Sequence, residues 1–134
     1  MDTLTSDQRS KLMSRIRGKN TKPEMVVRRL LHGMGYRYRL HAKELPGKPD
    51  IVFRRRGKAI FVNGCFWHGH KGCKLARLPK SRVDFWTEKI ARNAERDAQA
   101  IKALEDRDWE TLTVWECETK SPGLADRLRS FLEV

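Results

Sequence analysis

Residues 61–73 read Phe-Val-Asn-Gly-Cys-Phe-Trp-His-Gly-His-Lys-Gly-Cys and gather two of the chain's three cysteines and two of its four histidines. Cys65, His70 and Cys73 are spaced to close around one metal ion if a fourth donor arrives from elsewhere. Cys117 is the only other cysteine and the candidate for it. Thiolates and an imidazole together form a donor set for zinc, and four protein ligands make a structural site rather than a catalytic one. The plainer alternative is three small buried cysteines. His68 lies two residues before a candidate ligand and is available as a general base, or else is a core or surface histidine. Phe66 and Trp67 sit in a loop rich in Gly and Lys. Core packing is the usual fate of such a pair, but here an exposed wedge able to stack on or between bases is the expectation.

Asp50 opens a short apolar run, 50–53, that reads as one strand of a hairpin with 58–62. A carboxylate there offers oxygen to a divalent cation such as Mg²⁺, or simply ends a turn. With His68 nearby to activate water, the pair points to hydrolysis of a phosphodiester bond. A zinc-stapled binding module that does not cut would share most of these features.

The composition narrows the substrate. The chain has 134 residues, 29 Lys and Arg against 17 Asp and Glu, and a net charge of +12. That length makes one domain. The basic residues are spread along the chain, so the folded surface itself is expected to be positive and to bind nucleic acid. No apolar run is long enough to span a membrane, and the N-terminus has no apolar signal segment, so a cytoplasmic location is expected. In a reducing compartment the cysteines read as ligands or free thiols rather than disulfides.

The elements that must position these residues follow from local patterning. Residues 1–20 are a basic arm with one short amphipathic helix on Leu12, Met13 and Ile16. The remainder, 21–134, is the main body, with a zinc loop at 63–80. Thr21-Lys-Pro-Glu24 has capping-box spacing and opens a helix buried through Val26, Val27, Leu30, Leu31 and Met34. Glu24 is most simply a cap. Residues 36–40 alternate as a strand, and 45–49 form a turn. A long helix is expected from Arg82 or Val83 to about Asp106, apolar along Phe85, Trp86, Ile90, Ala94, Ile101 and Leu104. Residues 111–115 read as a buried strand delivering Cys117, and a short helix on Leu124, Leu128 and Phe131 or Leu132 closes the chain. This is an α/β domain with a mixed sheet flanked by helices, in which the long crossover helix makes the last strand parallel to the one before the metal loop.

Five motifs carry a resemblance. Leu45-Pro-Gly-Lys-Pro-Asp50, Gly64-Cys-Phe-Trp-His68, Phe85-Trp-Thr-Glu-Lys-Ile90, Asn93-Ala-Glu-Arg-Asp97 and Val114-Trp-Glu-Cys117 resemble, in order, the very short patch repair endonucleases. The resemblance implies a restriction-endonuclease-like fold. It also implies Mg²⁺-dependent nicking of double-stranded DNA 5′ to the thymine of a T:G mismatch, and a structural zinc. In those terms Asp50 holds the catalytic metal together with the main-chain carbonyl of Val62. His68 is the base, Glu24 assists through metal-bound water, and Cys65, His70, Cys73 and Cys117 hold zinc. Met13, Phe66 and Trp67 are the wedges beside the mismatch, with Asn63, Trp86, Lys89 and Asn93 near the DNA. Such an enzyme is bacterial, acts as a monomer because a mismatch has no symmetry, and is linked to a cytosine methyltransferase. Val62-Asn63 departs from the family's Thr-His pair, which removes one helper beside the phosphate. A zinc-stapled restriction or defence endonuclease without mismatch preference remains the alternative.

Overall fold

In the computed structural model, residues 20–133 are described. The basic arm at 1–20, Met13 included, lies outside the described residues but for Asn20. Three helices and a four-stranded sheet make up the rest.

Helix α1, Lys22–Gly33, starts where the sequence places it. The Thr21 hydroxyl accepts the Glu24 N–H at 3.3 Å, and Pro23 occupies the first turn where a missing donor costs nothing. Strands β1 (Arg39–Leu40), β2 (Ile51–Phe53) and β3 (Lys58–Asn63) form an antiparallel meander. Strand β1 is shorter than the five residues expected. Tyr36 and Tyr38 instead pack edge-on against Phe53, with ring centroids 6.4 and 6.2 Å away. Helix α2, Val83–Glu105, then crosses over, and strand β4, Glu110–Trp115, pairs parallel to β3 from Lys58↔Glu110 to Asn63↔Trp115. Helix α3, Leu124–Glu133, closes the chain, and the sheet order is β1-β2-β3-β4. The expected mixed α/β sheet and parallel crossover are both present.

One face of the sheet carries the main core. Val27 and Leu31 of α1, Ile51, Phe53, Ile60 and Val114 of the strands, and Leu124, Leu128 and Leu132 of α3 are buried together. The hydrophobic effect of about 1.5–3 kcal/mol per buried large side chain holds both helices there. The other face buries Val52 and Ala59 under Leu104, near the C-terminal end of α2. Helix α2 is therefore anchored at its ends. Trp86, Ala100 and Leu104 are buried, whereas Phe85 is 40% exposed and Ala94 lies in solvent. That corrects the continuous apolar stripe expected for it. Between those ends its contacts are polar: the Asn93 amide and the Asp97 carboxylate reach the loop after β3.

The turn before β2 requires Gly47. Its φ is +75°, and an added Cβ would stand 2.5 Å from the Ala100 Cβ of α2. The chain thus passes close under α2 just before Asp50, which brings the two halves of the site together.

Candidate active site and metal centre

Parallel pairing of β3 and β4 carries two chain segments to the same end of the sheet. The loop after β3 begins at Gly64, and a 3₁₀ turn, Glu116–Lys120, follows β4 directly. Cys65 and Cys117 therefore meet despite their separation in sequence. The Cys117 N–H donates to the Cys65 Sγ at 3.4 Å. His70 Nδ1 stands 3.5 Å from Cys65 Sγ and 3.4 Å from Cys117 Sγ. Donor atoms of Cys65, His70, Cys73 and Cys117 all lie within 4.8 Å of one another, an arrangement compatible with a metal site. All three cysteines are free thiols. The His70 ring stacks on Trp115, with centroids 4.2 Å apart and planes 5° apart, which fixes the direction of its nitrogen. Burial pushes the Cys65 thiol up to about 12 and also raises that of Cys117, while the Leu75 N–H lowers that of Cys73. A metal ion bound there displaces protons, so its affinity falls with acidity.

A second group of donors lies at the edge of β2. Asp50 Oδ2 accepts the Val62 N–H at 2.7 Å, as the hairpin register demands. Burial pushes the Asp50 carboxyl up to about 6; the neighbouring Glu24 adds to this, and the Val62 N–H, His41 and His68 oppose it. Glu24 is 2% exposed, although it belongs to the first turn of a helix. It accepts from Arg28 at 3.3 Å and sits 2.9 Å from His41 Nε2. Glu24, His41 and Asp50 form the second cluster whose donor atoms lie within 4.8 Å of one another. Asp50, Glu24, Val62, Asn63, Phe66, Trp67, His68 and Asp97 share the walls of one cleft of about 370 Å³.

His68 and Asp97 are joined across that cleft, with Nδ1 2.5 Å from Asp97 Oδ2. A carboxylate accepts from Nδ1–H, which leaves Nε2 as the acceptor of the neutral ring, the arrangement a general base needs. Asp97 belongs to the quoted Asn93–Asp97 motif, but the residues alone give it no role. His41 is also absent from the expectations, and it has no motif to mark it.

The aromatic loop differs from its expected form. Trp67 and Trp86 are each 8% exposed, and Phe66 is half-buried. The three rings meet edge-on, with centroids 5.3–5.7 Å apart. The Asn93 amide donates to the Trp67 carbonyl at 2.9 Å, and Lys89 Nζ lies 5.7 Å from the Trp67 and Phe85 ring centres. The pair expected to be exposed is instead part of a cluster tied to the N-terminal half of α2, and Phe85 is its most exposed ring. Asn63 is buried in the cleft wall at 7% exposure. Exposed Lys43, Lys48 and Arg96 make the rim of the adjoining cleft positive. No helix among the described residues is long and apolar enough to cross a membrane.

Known proteins resemble this chain along most of its length. A family profile described as DNA mismatch endonuclease Vsr matches residues 1–74. A type II nicking enzyme, V.XorIIP, of Xanthomonas oryzae pv. oryzae is 51% identical over 133 residues, which cover 98% of this chain and 97% of that protein. The DNA mismatch endonuclease Vsr of Escherichia coli K12 is 43% identical over 130 residues, 92% of this chain and 83% of its own. The type II nicking enzyme V.NmeAIP of Neisseria meningitidis is 44% identical over 123 residues, 92% of this chain and 87% of its own. A profile match over more than half of the chain, with relatives this similar along nearly all of it, shows that the chain belongs to the Vsr family and is a DNA endonuclease.

Proposed function

We propose that this endonuclease nicks one strand of double-stranded DNA 5′ to the thymine of a T:G mismatch, with Mg²⁺ as cofactor. The observation that carries the reading is the cleft in which Asp50 and Glu24 face the His68–Asp97 pair. Asp50 and Glu24 are the side chains that would hold the divalent cation, which would supply charge stabilisation to the phosphodiester. The Val62 N–H holds the Asp50 carboxylate in place, and the Val62 main-chain carbonyl would be a further oxygen donor to the cation. His68 Nε2 takes the proton of the attacking water, and Asp97 keeps the ring in the correct tautomer and orientation. Two names among the relatives, nicking enzyme and mismatch endonuclease, support cleavage of a single strand.

Zinc is the proposed occupant of the Cys65–His70–Cys73–Cys117 group. In a tetrahedron with Zn–S of about 2.3 Å and Zn–N of about 2.05 Å, sulfur and nitrogen stand about 3.5 Å apart. The two Sγ–Nδ1 distances, 3.5 and 3.4 Å, match that edge. The metal would staple the loop after β3 to the end of β4, and so hold His68 and the aromatic cluster. Phe66 and Trp67 would serve as the wedge beside the mismatch, together with Met13 from outside the described residues. Trp86, Lys89, Asn93 and Asn63 support the DNA-facing wall. Insertion of buried rings requires the cluster to open, at a cost of a few kcal/mol that binding must offset. The enzyme acts as a monomer in the bacterial cytoplasm, alongside a cytosine methyltransferase whose product deaminates to thymine.

The test uses two end-labelled duplexes that differ only in one T:G or matched pair, each incubated with protein and Mg²⁺. A single nick 5′ to the mismatched thymine, in the first duplex only, is the expected result. Equal cutting of both would replace the repair reading with a restriction or defence nuclease.

A further inference from the structure

His41 has no place in the mechanism above, and its surroundings ask for one. It lies in the turn after β1, with a backbone φ of +49°. Left-handed backbone is costly for a residue with a Cβ, by about 1–2 kcal/mol, and such strain collects at functional sites. The turn also continues the pairing of β1 with β2. The His41 N–H donates to the Asp50 carbonyl at 3.0 Å, so the two residues stand side by side across the meander. The imidazole then reaches the buried Glu24, with Nε2 2.9 Å from Oε2. His41 also lines the cleft it shares with Asp50, His68 and Asp97.

One of these distances fits an edge of a coordination sphere. Two donors about 2.1 Å from an octahedral ion, at right angles, stand about 3.0 Å apart. The His41–Glu24 separation of 2.9 Å is close to that edge, and Asp50 brings a third donor into the same group, all within 4.8 Å of one another. A hydrogen-bonded Glu–His pair alone would account for the first distance. It gives no reason for a third, desolvated carboxylate at the same point, nor for a strained backbone that holds the imidazole there. Glu24 has a permanent cation in Arg28 at 3.3 Å, so His41 is not needed to neutralise it.

We propose that His41 is a direct ligand of the catalytic divalent cation, together with Glu24 and Asp50. This rests on the nuclease reading of Asp50 and adds a nitrogen to an otherwise all-oxygen set. Oxygen donors suit Mg²⁺, whereas an imidazole moves preference toward Mn²⁺ and Co²⁺. The site accordingly binds Mn²⁺ more tightly than Mg²⁺, and His41 carries the difference.

The test is electron spin echo spectroscopy on the full-length, zinc-loaded protein with one equivalent of Mn²⁺ and no DNA. An imidazole nitrogen bound to Mn²⁺ gives a ¹⁴N modulation. Two variants are measured beside the wild type. His41→Asn keeps a residue tolerant of positive φ but too short to reach the ion, and His41→Gln keeps reach without the ring. The modulation should be present in the wild type and absent from both variants. Calorimetry should show Mn²⁺ affinity falling about tenfold or more in the variants, with Mg²⁺ affinity changed less. No modulation in the wild type, or its persistence in both variants, overturns the proposal. His68→Gln is the control for the other nearby ring and should leave the modulation in place. Asp50→Asn separates the two readings. If it binds Mn²⁺ as tightly as the wild type, the nuclease centre itself is misplaced. If it loses Mn²⁺ while the wild type shows no nitrogen signal, only the role of His41 fails.

Discussion

Replacing Asp50 by Asn should make the metal-free protein more stable, and by an amount that depends on pH. The Asp50 carboxyl is raised from 3.8 to about 6, chiefly by burial. Between those values the folded protein holds a proton that the unfolded chain has released, so the contribution of Asp50 to stability declines as pH rises through this window. Below about pH 4 both states are protonated and the penalty vanishes. Above about pH 6.5 it is complete, with a ceiling of about 3 kcal/mol. Asp50 is only partly buried, so solvent screens part of this and about 1–2 kcal/mol is expected. Asn keeps the oxygen that accepts the Val62 N–H and carries no charge. Chemical denaturation of wild type and Asp50→Asn, with zinc supplied and no Mg²⁺ or Mn²⁺, measures the difference at pH 5 and at pH 7.5. The gain should be larger at pH 7.5 by about 1 kcal/mol. Added Mg²⁺ should stabilise the wild type and not the variant, and so narrow the gap. A variant less stable at pH 7.5, or a gain indifferent to pH, would refute the claim that Asp50 is a desolvated, destabilising charge waiting for a cation.

The other predictions concern the residues that build the site. Asp97→Asn should slow nicking by about 10²-fold or more, with DNA affinity nearly unchanged, because the His68 ring loses the partner that sets its tautomer; single-turnover rates beside equilibrium binding check this. Gly47→Ala should cost about 2 kcal/mol or more in denaturant unfolding, since the new methyl meets Ala100 at 2.5 Å on a backbone with φ of +75°. Cys117→Ser should weaken zinc retention and alter tryptophan fluorescence, because the His70 ring stacked on Trp115 is released. Leu31→Ala, at a fully buried position of α1, should cost about 2–5 kcal/mol while leaving the zinc content intact.

The sequence by itself determined the features that depend on near neighbours. The Thr21 cap, the hairpin that puts Asp50 against Val62, the parallel return to β4 and the four candidate metal donors all follow from spacing, turn chemistry and residue type. Motif identity added the family, because five ordered motifs are too specific to arise from composition. Packing between distant segments decided the rest. Asp97 meets His68 only because α2 crosses above the loop, 29 positions along the chain. His41 meets Glu24 across 17 positions because a strained turn and a helix start share one cleft. In the aromatic pair, polar in its sequence surroundings, Trp67 is buried and Phe66 half-buried because the N-terminal half of α2 supplies Trp86 as a third ring. Local patterning reports what a residue prefers, whereas the ion pairs and ring contacts of a site form between side chains whose distance no local period encodes.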